Sequence, residues 1–594
     1  MRSSANSRTL KNKDSSDGRL RRPGRAKLDI SSLSAADQQR LALRGETFVV
    51  AWSALLVSLL ALSYCYSRQI LLLCGDAVAH LHIARRMIDS IEPGFRQMGS
   101  VWLPFPHFLL LPFVARLEWW QSGLAGAFPS MAAYVLGAAG IYRLARQWLA
   151  PQASLVALIF YALNPGLLYF QTTAMNEPLF LTEMIWTALL LVEYRRALNT
   201  DQMRRASNLL IVTGAVLMCA VFTRYDGWIY AAFAWLVALL PMLNRKRWQT
   251  QAGGAFVLFT VMVAVAPLLW FGYCAKQFGD PLDFMRGPYS AKAIDERTST
   301  PGAPRYPGWH SMPVAALYFL KAAELGATIL RCANLLWWIA VAGTVAAVAK
   351  WWRKDMLAAL LLWVPLPFYA YSVAYGSVPI FIPLWWPHSY YNTRYGMELI
   401  PAFALFLAFF VAGVMGWIAQ RFASSENPDA EPQAGLKQWL PVAAEWLPWI
   451  MIALLIANDA VLLRATPLVV GEAIANSRTR ISYEVAYAKA LEELPPNSLI
   501  LAYTSEHPGA YERAGIALKH TINESDYYEW TPALKAPASS ADFVIATDND
   551  AVAKAVAAHP DGLTLINIVC STGQPCARIY RSDRHARSGS ITQK

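Results

Sequence analysis

Residues 254–274 read GAFVLFTVMVAVAPLLWFGYC, 21 positions without a charge. At about 1.5 Å per residue a helix of this length crosses the ~30 Å hydrocarbon core of a bilayer. Comparable stretches recur on both sides of it. We read spans at 47–67, 128–147, 153–172, 178–194, 207–223, 228–243, 254–274, 327–349, 356–375, 397–418 and 446–463. The whole-chain balance agrees, with 56% of the 594 residues apolar and 15% charged. A soluble protein carries about 25% charge. An ordinary soluble enzyme, a disordered chain, a coiled coil and a collagen are thereby excluded. The expectation is a polytopic α-helical membrane protein of about 11 transmembrane helices. Phe105–Trp120 is apolar but carries Pro106 and Pro112, and reads as a partly immersed or re-entrant helix.

Charge sets the orientation. The net charge of +12 suits either nucleic acid or a membrane surface. Its distribution favours the membrane. Residues 1–46 are polar and basic, and read as a disordered cytoplasmic tail. Further basic clusters fall at Arg143/Arg146, Arg195–Arg205, Asn244–Arg247 and Lys350–Lys354, at every second span boundary. Cytoplasmic loops carry such an excess of Lys and Arg. No nucleic-acid partner is expected. The opposite face then receives the loop 68–127, the junctions near 173–177 and 224–227, the loops 276–326 and 376–396, and the chain after 464. An odd number of spans puts the two termini on opposite sides. The domain reading is therefore a tail at 1–46, a transmembrane region at 47–464 and a soluble region at 465–594.

That last region changes character. Ser498–Tyr503 (SLILAY) and Ala541–Ala546 (ADFVIA) are apolar runs of strand length, and Tyr483–Leu494 reads as an amphipathic helix ended by Pro495-Pro496. Strands alternating with helices predict a small α/β domain. Cys570 and Cys576 are either a disulfide, if this domain is periplasmic, or two free thiols. Residues 424–437 read as a cytoplasmic linker.

An ionisable side chain at membrane level is costly, and is a functional candidate by default. Most of these residues fall on the non-cytoplasmic side. The first cluster runs Gly75-Asp76-Ala77-Val78-Ala79-His80-Leu81-His82-Ile83-Ala84-Arg85-Arg86. Asp76 is either the N-cap of the helix that follows or a general base. His80 lies one turn on, and Arg85 and Arg86 offer charge to a phosphate or form a solvated face. Glu177, followed by Pro178, opens a span, where it meets the helix dipole or serves as a second acid. Arg224 and Asp226 share a short turn, and either pair with each other or join the site. The fourth cluster, Trp385–Gly396, contains His388, Tyr391, Arg394 and Tyr395. Its aromatics suit an interfacial belt, whereas an arginine among them suits a lipid-linked phosphate. Trp102 and His107 add to the same surface.

The chain has no GxxxxGK[ST] loop, no GxGxxG and no HExxH. A membrane enzyme without them can use a substrate that arrives activated, with lipid phosphate as leaving group. That chemistry needs positioning, a base and a cation near the phosphate. His80, His82, His107, His310 and His388 show no ligand spacing, so no metal or other cofactor is expected.

In this layout the chain resembles the GT-C glycosyltransferases, in particular glycosyltransferase family 39, which includes protein O-mannosyltransferases and lipid A aminoarabinose transferases. The resemblance rests on Asp76 behind the first span, the Tyr142–Arg146 exit, Glu177 within Asn-Glu-Pro-Leu-Phe, and Arg394-Tyr395 followed by Pro401. It covers roughly residues 47–420. It departs at Ala77, where protein O-mannosyltransferases commonly carry an Asp-Glu pair. The resemblance implies an inner-membrane enzyme that moves a sugar from a polyprenyl phosphate to a periplasmic lipid, glycan or protein hydroxyl, with inversion. It implies Asp76 as base, Glu177 as second acid, and Arg394, then Arg85, Arg86 and Arg224, as phosphate ligands. His80, His107, Asp226, Tyr391 and Tyr395 are expected to line the pocket. The rival readings are a transporter or lipid flippase, which would show inverted repeats and broken helices at the midplane, and an assembly or receptor protein whose C-terminal region binds a partner.

Overall fold

The computed structural model describes residues 34–299, 302, 304–351, 356–423 and 442–583. Residues 1–33, the linker 424–437 and Arg353–Lys354 of one basic cluster lie outside them. Two compact units are distinguished, Met1–Glu46 and Thr47–Lys594. The expected tail is corrected at its end: helix α1 is Ala35–Ser67, because Ala35–Glu46 is rich in helix formers and free of proline.

The larger unit continues with α2 (Gly75–Ile88), α3 (Pro104–Val114), α4 (Leu124–Ala145), α5 (Pro151–Ala162), α6 (Glu177–Asn199), α7 (Met203–Thr223) and α8 (Asp226–Met242). There follow α9 (Gln251–Phe278), α10 (Met312–Ala327), α11 (Ala333–Trp351), α12 (Pro365–Tyr375), α13 (Ile400–Ala423), α14 (Leu447–Arg464) and α15 (Leu468–Glu492). Among the described residues, 8 helical stretches are long and apolar enough to cross a membrane; α3, α5 and α8 are shorter apolar helices.

The reading of 153–172 as one span is corrected. The helix stops at Ala162, and a short helix Pro165–Phe170 restarts with Asn164 accepting from the Leu167 N–H. Proline disfavours helical backbone at the residue before it. The Phe105–Trp120 segment is also two helices, divided at Ala115–Arg116, away from both prolines. Pro106 sits in the first turn, where no N–H is needed. Small residues let the helices approach closely. At Gly343 of α11 a Cβ would collide with the Phe406 carbonyl of α13.

After α15 comes a five-stranded sheet in the order β2-β1-β3-β5-β4, built from β1 (Ile500–Ala502), β2 (Thr521–Ile522), β3 (Phe543–Thr547), β4 (Leu563–Val569) and β5 (Ala577–Ser582). β2, β1 and β3 are parallel, and β5 runs antiparallel to β3 and β4. β1 and β3 are buried throughout, as strands covered on both faces must be. The expected helix 483–494 is the end of the much longer α15. Cys570 and Cys576 are disulfide-bonded between β4 and β5.

Candidate active site

Asp76 lies in the first turn of α2, where negative charge meets the helix dipole. It is not the N-cap: Cys74 holds that position, without a side-chain cap. The Asp76 carboxylate instead accepts from Arg394 Nη2 at 2.6 Å. Arg394 belongs to the 3-10 turn Thr393–Leu399 that leads into α13. Its Nε lies 3.3 Å from Glu177 Oε1 at the start of α6. Arg224, between α7 and α8, reaches the same Glu177 oxygen at 3.3 Å, Asp226 at 3.0 Å and Glu398 at 3.1 Å.

The residues from four separate sequence clusters therefore form one ionic network. Tyr369 Oη sits between Asp226 (2.8 Å) and Glu398 (2.7 Å), and accepts from Arg224 Nη2 at 2.8 Å. The Tyr395 ring lies under both guanidinium groups, 5.3 Å from Arg224 and 5.1 Å from Arg394, and stacks on Tyr369. Four carboxylates face two guanidiniums. The second oxygens of Glu177 and Glu398 are buried without a hydrogen-bond partner. Such a site favours an incoming cation or proton over more negative charge, unless a guanidinium is freed from its carboxylate.

Burial divides the network into two layers. Asp76 is 38% exposed and Arg394 17%, while Glu177 is 1% and Glu398 0% exposed. Asp76, Arg394, Tyr391 and Tyr395 line a cavity of about 1900 Å³, and Glu177, Arg224 and Asp226 sit behind them. The lining also includes Arg86, Arg96, Tyr289, Arg305, Glu524 and Trp530. The C-terminal ends of β1 and β2 thus face the same space.

His80 lies behind the cavity wall as well. His107 Nδ1 faces the Leu103 carbonyl at 3.0 Å, so it donates there and leaves Nε2 to accept from His80 Nδ1 at 3.0 Å. His80 Nε2 then accepts from the Asn176 amide at 3.1 Å. Burial, then His107, Arg394 and Arg224, hold the His80 imidazole well below its ordinary range, which fits this neutral chain. His80 and His107 tie α2 and α3 to the residue before Glu177, and neither is among the cavity's lining residues.

Arg85 and Arg86 stand apart from the network. Arg85 pairs with Asp89 at 2.7 Å and donates to the Val114 and Ala115 carbonyls. Arg86 donates to the Gln97 carbonyl at 2.7 Å and pairs with Glu524 at 3.4 Å. Tyr369 and Glu398 were missed by sequence reasoning. Glu398 carried a signal, an acid at the entrance of an apolar span; Tyr369 carried none, being one of 26 tyrosines. Among the described residues no three His, Cys, Asp or Glu side chains converge as a metal-ligand set.

Residues 104–271 match the family described as dolichyl-phosphate-mannose-protein mannosyltransferase. The undecaprenyl phosphate-alpha-4-amino-4-deoxy-L-arabinose arabinosyl transferase of Pseudomonas aeruginosa is 26% identical over 303 residues, 48% of this chain and 50% of that protein. Its counterpart in Pseudomonas paraeruginosa is 26% identical over 302 residues. The chain spans about half the length of these relatives. The crystal structure of ArnT from Cupriavidus metallidurans bound to undecaprenyl phosphate superposes with a TM-score of 0.50 at 14% identity, covering 90% of this chain and 98% of that one. The chain is a multi-pass membrane protein with a GT-C glycosyltransferase fold, similar to the protein O-mannosyltransferases and the aminoarabinose transferases.

Proposed function

We propose that the protein is an inner-membrane glycosyltransferase that moves a sugar from a polyprenyl phosphate to an acceptor hydroxyl of a lipid, glycan or protein, with inversion. The observation that carries this reading is the Asp76–Arg394 pair at the edge of the large cavity, a carboxylate beside a guanidinium. In the proposed reaction Asp76 takes the acceptor's hydroxyl proton. The oxygen attacks the anomeric carbon, and the bond from that carbon to the phosphate oxygen breaks. The polyprenyl phosphate leaves with the electron pair, and Arg394 turns from Asp76 to the phosphate as its charge grows. Glu177 is assigned the role of holding Arg394 and Arg224, since its buried carboxylate bonds both. Arg224 is the second candidate for the phosphate. Arg85 and Arg86 are given no part in it, because backbone carbonyls hold both guanidiniums and neither pairs with Asp76 or Glu177, as Arg394 and Arg224 do.

In this reading residues 1–46, including the start of α1, are cytoplasmic, 47–464 is the transmembrane catalytic region, and 465–594 is periplasmic, which the Cys570–Cys576 disulfide supports. The test is purified protein in nanodiscs with undecaprenyl-phosphate aminoarabinose and a lipid A acceptor. Sugar transfer by the wild type and its loss in Asp76→Asn are expected. A wild-type rate in Asp76→Asn would sink the assignment of Asp76 as base, and donor crossing a liposome without being consumed would sink the transferase proposal itself.

A further inference from the structure

Glu472 lies near the start of α15, in none of the clusters considered so far. Its Oε1 accepts the Asn392 N–H at 2.7 Å, and its Oε2 accepts the Thr393 N–H at 2.9 Å and the Thr393 hydroxyl at 2.5 Å. The next residue is Arg394. The carboxylate is 7% exposed and spends its oxygens on the start of the turn that carries the guanidinium. Asn392 there has a left-handed backbone, φ +55°, a conformation that Asn adopts more readily than most residues. The approach is close, since a Cβ on Gly471 would meet the Tyr390 hydroxyl at 3.2 Å.

Eight residues along the same helix, about 12 Å at the helical rise, Arg480 does the converse. Its Nη2 donates to the Leu72 and Leu73 carbonyls at 3.0 and 2.9 Å, four and three residues before Asp76. Its Nη1 is held by both oxygens of Glu484 at 2.8 Å. One helix therefore grips, through charged hydrogen bonds, the backbone leading into each partner of the Asp76–Arg394 pair. The same helix continues to the C-terminal sheet. We propose that α15 is the brace that sets this pair, with Glu472 and Arg480 as positioning residues that act through Arg394 and Asp76. The catalytic consequence rests on the transferase reading; the brace itself does not.

Charge-assisted bonds to two adjacent N–H groups need a carboxylate, because an amide brings its own N–H donors to the same place. In Glu472→Gln, hydrogen exchange of the 390–399 backbone should quicken at least tenfold while α4 and α13 keep wild-type protection. Wild-type protection of 390–399 would overturn the brace whatever the activity. If Glu472→Gln fails to fold, Thr393→Val, which removes only the hydroxyl bond, is read the same way with a smaller increase. In the transfer assay Glu472→Gln should lower kcat by ~10²-fold, the scale of a 1 Å misplacement, with the acceptor KM within about twofold. Added to Arg394→Lys it should cost less than about threefold more, since both act on one guanidinium. Fully multiplicative losses would overturn the assignment. Two controls separate the ideas: full transfer by Asp76→Asn defeats Asp76 as the base, absence of transfer by the wild type defeats the transferase reading, and either leaves the brace to be judged by exchange alone.

Discussion

Helix α6 carries a glutamate paired with arginines at each end, and the two ends behave differently. At its first residue Glu177 is buried and bonds Arg224 and Arg394, which reach on to three further carboxylates. Sixteen residues on, about 24 Å away along the helix axis, Glu193 bonds Arg143 at 2.9 Å and Arg205 at 3.4 Å, with 28% and 46% of those arginine side chains exposed. Water shares the charge at the second end. At the first end the protein must balance it alone, and the balance is incomplete. Ion pairs of one chemistry are thus a surface trim in one place and a poised site in the other.

The sharpest way to break this comparison is to neutralise one acid at each end. Asp76→Asn should cost about 10⁴-fold in transfer rate, roughly 5 kcal/mol of transition-state stabilisation, and Glu193→Gln should stay within twofold in the same assay. Next in size, Arg224→Met strands buried carboxylates and should lower unfolding stability by about 3–4 kcal/mol in a denaturation series. Tyr369→Phe removes a hydroxyl shared by Asp226, Glu398 and Arg224, and should cost about 1.5–2 kcal/mol by the same measurement. Arg143→Gln, at the exposed end, should cost less than about 1 kcal/mol.

Acidification tests the buried end in another way. His80 titrates well below its ordinary 6.5 in the folded protein. The unfolded chain therefore takes up its proton first, and the stability His80 contributes is full above pH 6.5 and lost as pH falls below it. His507, in the C-terminal region, is pushed down to about 4 by burial and then by Arg480, and adds to the same loss between those values. The thermal midpoint should fall as pH is lowered below 6.5, and less steeply in His80→Gln than in the wild type. Equal slopes would show that the His80–His107 chain does not need a neutral imidazole.

Legibility in the sequence followed how local the physics was. Apolar length is a property of consecutive residues, so the long helices could be read directly, while the Leu163–Asn164 break within 153–172 hid inside an apolar run. β1 and β3 stood out because strands buried on both faces are continuously apolar. β4 did not, being largely exposed, and β2 is only two residues long. In the site, Asp76, Glu177, Arg224, Asp226 and Arg394 were visible as charges beside apolar spans. Arg85 had the same signal, yet it turns to Asp89 and two carbonyls. Nothing in one dimension separates these cases, because the direction of a side chain at a helix end depends on what packs beside it.

Sequence alone therefore determined that the chain crosses a membrane many times and where its costly charges lie, since both follow from transfer free energies that add along the polymer. Only the tertiary structure decided which charges meet, that Glu398 and Tyr369 join them, and that Glu472 holds the turn before Arg394. Those contacts join residues up to several hundred positions apart, and electrostatic pairing depends on distance in space, which the order of residues does not record.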